Sequence, residues 1–125
     1  MPRLVVEAAH LDQLREHGGR PGLRDENGLE AALGRARQKW TYDHGRDLAT
    51  LAAAYAFGVA TAHPFNDGNK RSAFVAMAIF LGLNGKELNA TEAEVVQVMV
   101  ALAAGSLKEA QLATWVREHL ARLTL

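Results

Sequence analysis

The chain has 125 residues, with 14 basic and 14 acidic side chains, zero formal net charge and no cysteine. That length supports one hydrophobic core, so a single domain over residues 1–125 is expected, and the charge balance argues against direct DNA binding or attraction to an anionic membrane. With no secretory-type leader and no apolar run of membrane-spanning length, the expected location is the cytoplasm.

Taken in chain order, Arg3 to Val6 is a short β-branched run that reads as an isolated N-terminal strand, and Glu7 to His17 carries Ala8, Leu11 and Leu14 at helical spacing. Gly18-Gly19-Arg20-Pro21-Gly22 stops that helix. Asp25 is placed to cap a second one, with Leu29, Ala32, Leu33 and Ala36 on one face and an end near Lys39. Trp40 to Arg46 is a polar and aromatic connection with Gly45 as a breaker. Asp47 opens an alanine-rich third helix through Ala62, whose small side chains admit neighbours on several sides.

A fourth helix runs from about Asn69 to Asn84, with Phe74, Met77, Ala78 and Leu81 along a stripe and Gly85 as its stop. Two capping boxes follow. Thr91 with Glu94 opens a helix to about Ala104, and Ser106 with Glu109 opens a last one to about Leu123. The expected fold is therefore all-α, a compact six-helix domain with at most a short N-terminal strand. His10, His17, His44 and His119 read as solvated surface residues.

Between the third and fourth helices lies His63-Pro64-Phe65-Asn66-Asp67-Gly68-Asn69-Lys70-Arg71, the stretch densest in chemistry. Pro64 disfavours helix at His63 and ends the preceding helix, while Gly68 permits a backbone shape other residues resist. A helix starting near Asn69 turns its free N–H groups and positive dipole end toward the loop, a ready site for phosphate oxygens. Lys70 and Arg71 add positive charge, and the planar fork of Arg71 suits two-point contact with phosphate. Asp67 is the one carboxylate in the loop; it either caps the next helix or holds a hard cation such as Mg²⁺ jointly with nucleotide phosphates. Asn69 is either a cap or an orienting amide. A lone histidine often satisfies the last carbonyls of a helix, but in this setting His63 reads as a general base for a hydroxyl proton. Phe65 is expected to anchor the loop in the apolar layer beneath.

These nine residues resemble the signature of the Fic/Doc family, in its Doc-like spacing, and the resemblance to death-on-curing (Doc) toxins extends over residues 18–23, 30–35 and 81–85. The resemblance implies the helical Fic fold, His63 as catalytic base, Gly68, Asn69, Lys70 and Arg71 around the phosphates of ATP, and Asp67 on Mg²⁺. It also implies a flap before the motif-bearing helix, to which Trp40 and Tyr42 are assigned; both rings covering the core edge is the plainer alternative. Family members that transfer AMP carry glycine where Lys70 stands, a difference associated in the Doc branch with γ-phosphate transfer. Gly68 instead matches the AMP-transferring form, since Doc toxins have alanine there. The family's inhibitory S/T-x-x-x-E-G/N motif is not intact, because His119 follows Thr114 to Glu118.

The function expected from the resemblance is that of a toxin in a toxin–antitoxin pair. It transfers the γ-phosphate of ATP to a Ser or Thr hydroxyl of a translation elongation factor, elongation factor Tu. A Phd-like antitoxin is expected to neutralise it by docking near Leu29, Leu33, Trp40 and Tyr42. Two alternatives stand beside it: an adenylyltransferase with the same residues, and a non-catalytic helical adaptor whose nine-residue motif only binds an anion.

Overall fold

The computed structural model describes residues 3–41 and 47–124. Among these, the elements are α1 (Arg3–His17), α2 (Glu26–Thr41), α3 (Leu48–Ala62), α4 (Asn69–Leu83), β1 (Lys86–Leu88), α5 (Glu92–Ala104), α6 (Glu109–His119) and β2 (Leu120–Arg122). The all-α, six-helix architecture expected from the sequence is the one observed. Its centre is α3, against which α2, α4, α5 and α6 all pack.

Small side chains make that position possible. Ala52, Ala53, Ala56 and Ala60 are fully buried, and at Gly58 a Cβ would lie 2.8 Å from the Ala32 Cα on α2. Helices α2 and α3 therefore cross closer than an alanine at that point allows. Asp47 starts α3 as expected, its Oδ1 accepting the Thr50 N–H at 3.3 Å. Its Oδ2 accepts from Arg117 Nη2 at 2.8 Å, which ties α6 to the N-terminus of α3.

Several sequence expectations are corrected. Residues 3–6 are the first turn of α1 and not a strand. The buried stripe of that helix is Val6, His10 and Leu14, spaced by four, while Ala8 and Leu11 face solvent. Burial of Val6 against the core outweighs its β propensity. The α2 cap at Asp25 is confirmed by its Oδ1 accepting the Gly28 N–H at 2.9 Å, and the helix continues past Lys39 to Thr41. On α4 the buried set is Ser72, Ala73, Ala76, Met77 and Leu81, so Phe74 and Ala78 sit at the edge of the expected stripe.

The capping box of Thr91 and Glu94 is present on α5. That of Ser106 and Glu109 is not. Ser106 turns back to close α5, its Oγ donating to the Ala101 carbonyl at 3.1 Å, and α6 begins after Lys108, whose N–H donates to Gln111 Oε1 at 2.8 Å. Glu109 is drawn instead into an ion pair with Arg35 of α2. Helix α6 ends at His119 because residues 120–122 leave it to pair antiparallel with β1, Lys86 opposite Arg122 and Leu88 opposite Leu120. The ribbon joins the end of α4 to the end of the chain.

Candidate active site

The nine-residue motif forms the junction between α3 and α4. His63 caps α3 in the left-handed region, with φ of 48° and ψ of 55°, and its N–H still donates to the Val59 carbonyl at 3.2 Å. It is the one non-glycine residue with positive φ among those described, and Pro64 behind it bars the ordinary helical conformation. The carbonyl of His63 is held from outside by Arg24, whose Nε and Nη2 donate to it at 3.0 and 2.8 Å. Its side chain is exposed.

Past His63 the loop is stitched to residues 21–25. The Pro64 carbonyl accepts the N–H groups of Arg24 and Asp25, and the Asn66 N–H donates to Gly22 O, with an isolated antiparallel bridge between Leu23 and Phe65. Phe65 is 2 % exposed and belongs to the hydrophobic core. Asn69 clamps the same residue from the other side: its Oδ1 accepts the Phe65 N–H and its Nδ2 donates to the Phe65 carbonyl, both at 3.0 Å. The amide of Asn69 is thus committed to the loop backbone, leaving its own N–H for an anion.

Gly68, with φ of 73°, is the N-cap of α4 and offers no side chain to the first-turn amides. Those of Asn69, Lys70 and Arg71 have no intrahelical acceptor and carry the positive end of the helix. Lys70 and Arg71 are both exposed beside them. Asp67 does not cap α4. Its Oδ1 accepts the Gly68 N–H at 2.9 Å and its Oδ2 the Arg20 N–H at 3.3 Å. These two bonds, in that order, hold the carboxyl below the ordinary carboxylate range, with the charges of Arg20 and Arg71 adding to them.

An ionised carboxylate offers about four lone-pair positions, so Asp67 retains capacity beyond these two bonds. Among the described residues no three His, Cys, Asp or Glu side chains lie together as a metal cage. The donor set fits a hard cation that takes one carboxylate and completes its shell from phosphate and water, the habit of Mg²⁺.

The structure also recruits residues the sequence reading passed over. His10, expected on the surface, is 4 % exposed, stacks on Phe65 with ring centroids 3.8 Å apart, and places Nε2 at 2.7 Å from the Asp67 carbonyl oxygen. The signal was its place midway between Val6 and Leu14 on one face of α1. His119 is also partly covered, with Nδ1 at 2.7 Å from the Trp115 carbonyl and Nε2 at 3.3 Å from Glu94. His17 is exposed as expected, and His44 lies outside the described residues.

Two clefts adjoin the motif. His63 lines one of ≈ 390 Å³ together with Phe57, Thr61, Leu102, Leu107 and Lys108. Lys70 and Arg71 line another, ≈ 420 Å³, which lies between α1, α4 and α5 and includes Phe74, Val95, Val96 and Met99. The surface expected to receive an antitoxin is elsewhere. Leu29 is fully buried, and Leu33 and Trp40 line a third cleft with Leu48, Leu51 and Tyr55 at the start of α3. Leu51 precedes His63 by twelve residues, about 18 Å of helix. Trp40 lines neither cleft beside the motif, whereas residues 20–25 are bonded to it; Tyr42 lies outside the described residues.

Two likenesses accompany this geometry. The model of the Fic/DOC family matches residues 3–81, from the start of α1 into the last turn of α4. The protein kinase doc of Escherichia phage P1 is 32% identical over 110 residues, which cover 88% of this chain and 86% of that protein. The chain belongs to the Fic/DOC family.

Proposed function

We propose that this protein is a Doc-type phosphotransferase that moves the γ-phosphate of ATP to a Ser or Thr hydroxyl of elongation factor Tu, and that it acts as the cytoplasmic toxin of a toxin–antitoxin pair. The observation that carries this reading is the joining of an exposed base, His63, to the uncapped cationic start of α4 through one clamped loop. The likeness to a relative named as a protein kinase supports the reaction type.

In this reading the acceptor hydroxyl enters the cleft beside Phe57 and Leu107, and His63 removes its proton. The freed oxygen attacks the γ-phosphorus, the bond from that phosphorus to the β–γ bridging oxygen breaks, and ADP leaves. The first-turn amides of α4, with Lys70 and Arg71, hold the phosphates and balance the charge that spreads over their oxygens. Asp67 would hold Mg²⁺, which when bound would neutralise charge on the phosphate oxygens. The Asn69 side chain, Arg24 and Phe65 keep the loop in place and touch no reacting atom.

A second reading, AMP transfer, is favoured by Gly68, the residue of the AMP-transferring form. Incubating the protein with its host lysate and ATP labelled separately at the α and γ positions decides between them. Label from the γ position supports the kinase, label from the α position supports AMP transfer, and no label from either leaves an anion-binding adaptor. A Phd-like antitoxin is proposed as the neutralising partner. Its docking site is assigned to the groove between α1, α4 and α5, because Lys70 and Arg71 are among the residues that line it. No helix among the described residues is long and apolar enough to cross a membrane.

A further inference from the structure

We infer that His10 is a positioning residue, a latch that holds the Asp67–Gly68 peptide in one orientation and so aims the Asp67 carboxylate. The carbonyl of Asp67 and the N–H of Gly68 belong to the same peptide unit. His10 holds the carbonyl end, its Nε2 2.7 Å from the oxygen. Asp67 Oδ1 holds the other end by accepting the Gly68 N–H at 2.9 Å. A carbonyl only accepts, so Nε2 carries the proton and the ring is in that tautomer.

Without the latch this peptide is the weak point of the loop. The glycine that follows it sits at φ of 73°, a residue type that populates both signs of φ at little cost. Rotation of the peptide about its flanking bonds therefore meets little intrinsic resistance. Such a rotation carries the Gly68 N–H away from Oδ1 and releases the carboxylate. His10 is well built to oppose it, because its ring is itself fixed by the stack on Phe65, at 8° between planes, and by burial beside Leu14 in the α1 stripe. A Cβ at position 68 would lie 3.8 Å from the His10 ring, so the two elements are already in contact range. Helix α1, which contributes no residue to the motif, thereby controls the geometry of its one carboxylate.

The test separates the hydrogen bond from the packing. His10→Phe keeps an aromatic ring for the stack and removes the donor, whereas His10→Gln restores an N–H at similar reach. In the protein without nucleotide, the Gly68 amide proton is expected to exchange with solvent about fivefold faster in His10→Phe, the equivalent of one ordinary hydrogen bond, and to return to within about twofold of the parent in His10→Gln. Equal Gly68 protection in His10→Phe and the parent overturns the latch. Should His10→Phe fail to fold, His10→Leu serves for the same measurement. A second readout rests on the proposed kinase reading: calorimetric ATP affinity with magnesium falls about fivefold in His10→Phe, while affinity measured in chelator stays unchanged. A general structural loss weakens both alike and removes the assignment to Asp67. If the parent protein binds no ATP, the kinase reading fails while the exchange result on Gly68 still decides the latch.

Discussion

Arg24 grips the carbonyl oxygen of His63, donating from Nε at 3.0 Å and from Nη2 at 2.8 Å. The grip fixes a residue that the backbone disfavours, since His63 stands at φ of 48°, a conformation that costs an L-residue about 1–2 kcal/mol. A site that keeps a strained histidine gives up stability for an exposed imidazole. His63→Ala and His63→Gly are both expected to abolish transfer while ATP binding stays within a few-fold, because in the proposed mechanism the base acts on the acceptor and not on the nucleotide. Their stabilities should differ. Glycine removes the strain, so His63→Gly is expected to melt above His63→Ala and, after its larger unfolded-state entropy is counted, to match the parent within about 1 kcal/mol. Thermal melts of the three proteins, beside single-turnover transfer, check both parts; a His63→Gly protein less stable than His63→Ala contradicts the strain.

Asp67→Asn is expected to remove most of the magnesium dependence of ATP binding, as measured by calorimetry with and without chelator. The parent carboxyl is held below its ordinary range by the Gly68 and Arg20 N–H groups. A depressed folded-state value means that the ionised form is favoured in the fold. Its contribution is present above the ordinary carboxylate range and is lost only as pH falls through the depressed value. Magnesium-dependent binding should thus stay flat, as far as Asp67 is concerned, from neutrality down to the ordinary carboxylate range. Loss of binding centred near pH 6, with the protein folded, would assign it to a different group.

The crossing of α2 and α3 gives a prediction remote from the chemistry. At Gly58 the missing Cβ would sit 2.8 Å from the Ala32 Cα and 2.9 Å from its carbonyl oxygen, both backbone atoms that cannot swing aside. Gly58→Ala, ordinarily favourable in a helix by about 1 kcal/mol, is here expected to destabilise by about 1–3 kcal/mol through overpacking. Denaturant unfolding measures it, and a neutral or stabilised variant shows that the helices can part freely.

What the sequence made legible was local. Asp25, Asp47 and the pair Thr91 and Glu94 cap helices as read, and the motif lies where Pro64 and Gly68 interrupt the helical pattern. Hidden features depend on residues far apart in the chain. The N-terminal run 3–6 is helical because Val6 meets the core, and Ser106 is claimed by the Ala101 carbonyl before it can cap α6. His10 and Arg24 join the site only once α1 and the segment after it fold over a loop 39 to 57 residues away. Spacing alone does not bring them there.

Asn69 separates loop order from phosphate binding. Asn69→Ala strips the Phe65 N–H and carbonyl of their partners in a partly buried place, and is expected to cost about 1–3 kcal/mol and most of the activity. Asn69→Asp keeps an acceptor for the Phe65 N–H but sets a negative charge at the first turn of α4. That charge suits the helix and repels phosphate. Its melting temperature should stay nearer the parent than that of Asn69→Ala, while its ATP affinity falls by at least tenfold, or about 1.4 kcal/mol. Equal ATP affinity in Asn69→Asp and the parent would place the phosphates away from the start of α4.

If the proposed toxin–antitoxin pairing holds, neutralisation turns on which cleft the antitoxin occupies. A segment that blocks the proposed nucleotide site directly would cover Lys70 and Arg71, and both line the groove between α1, α4 and α5. Its α5 wall leaves Val96 54% and Val100 50% exposed, four residues apart on one helical face. That spacing suits an amphipathic helix laid into the groove, a mode in which a disordered segment folds on binding. The cleft of Leu33 and Trp40 lies at the start of α3 and is lined by none of these residues. Val96→Asp with Val100→Asp is therefore expected to weaken a Phd-like antitoxin at least a hundredfold, or about 2.7 kcal/mol, with the fold checked by circular dichroism and phosphotransfer kept within a few-fold. Leu33→Asp with Trp40→Asp is expected to leave antitoxin affinity unchanged. The opposite pattern in titration calorimetry, loss with the second pair and none with the first, would move the antitoxin to the far end of α3 and require it to act at a distance.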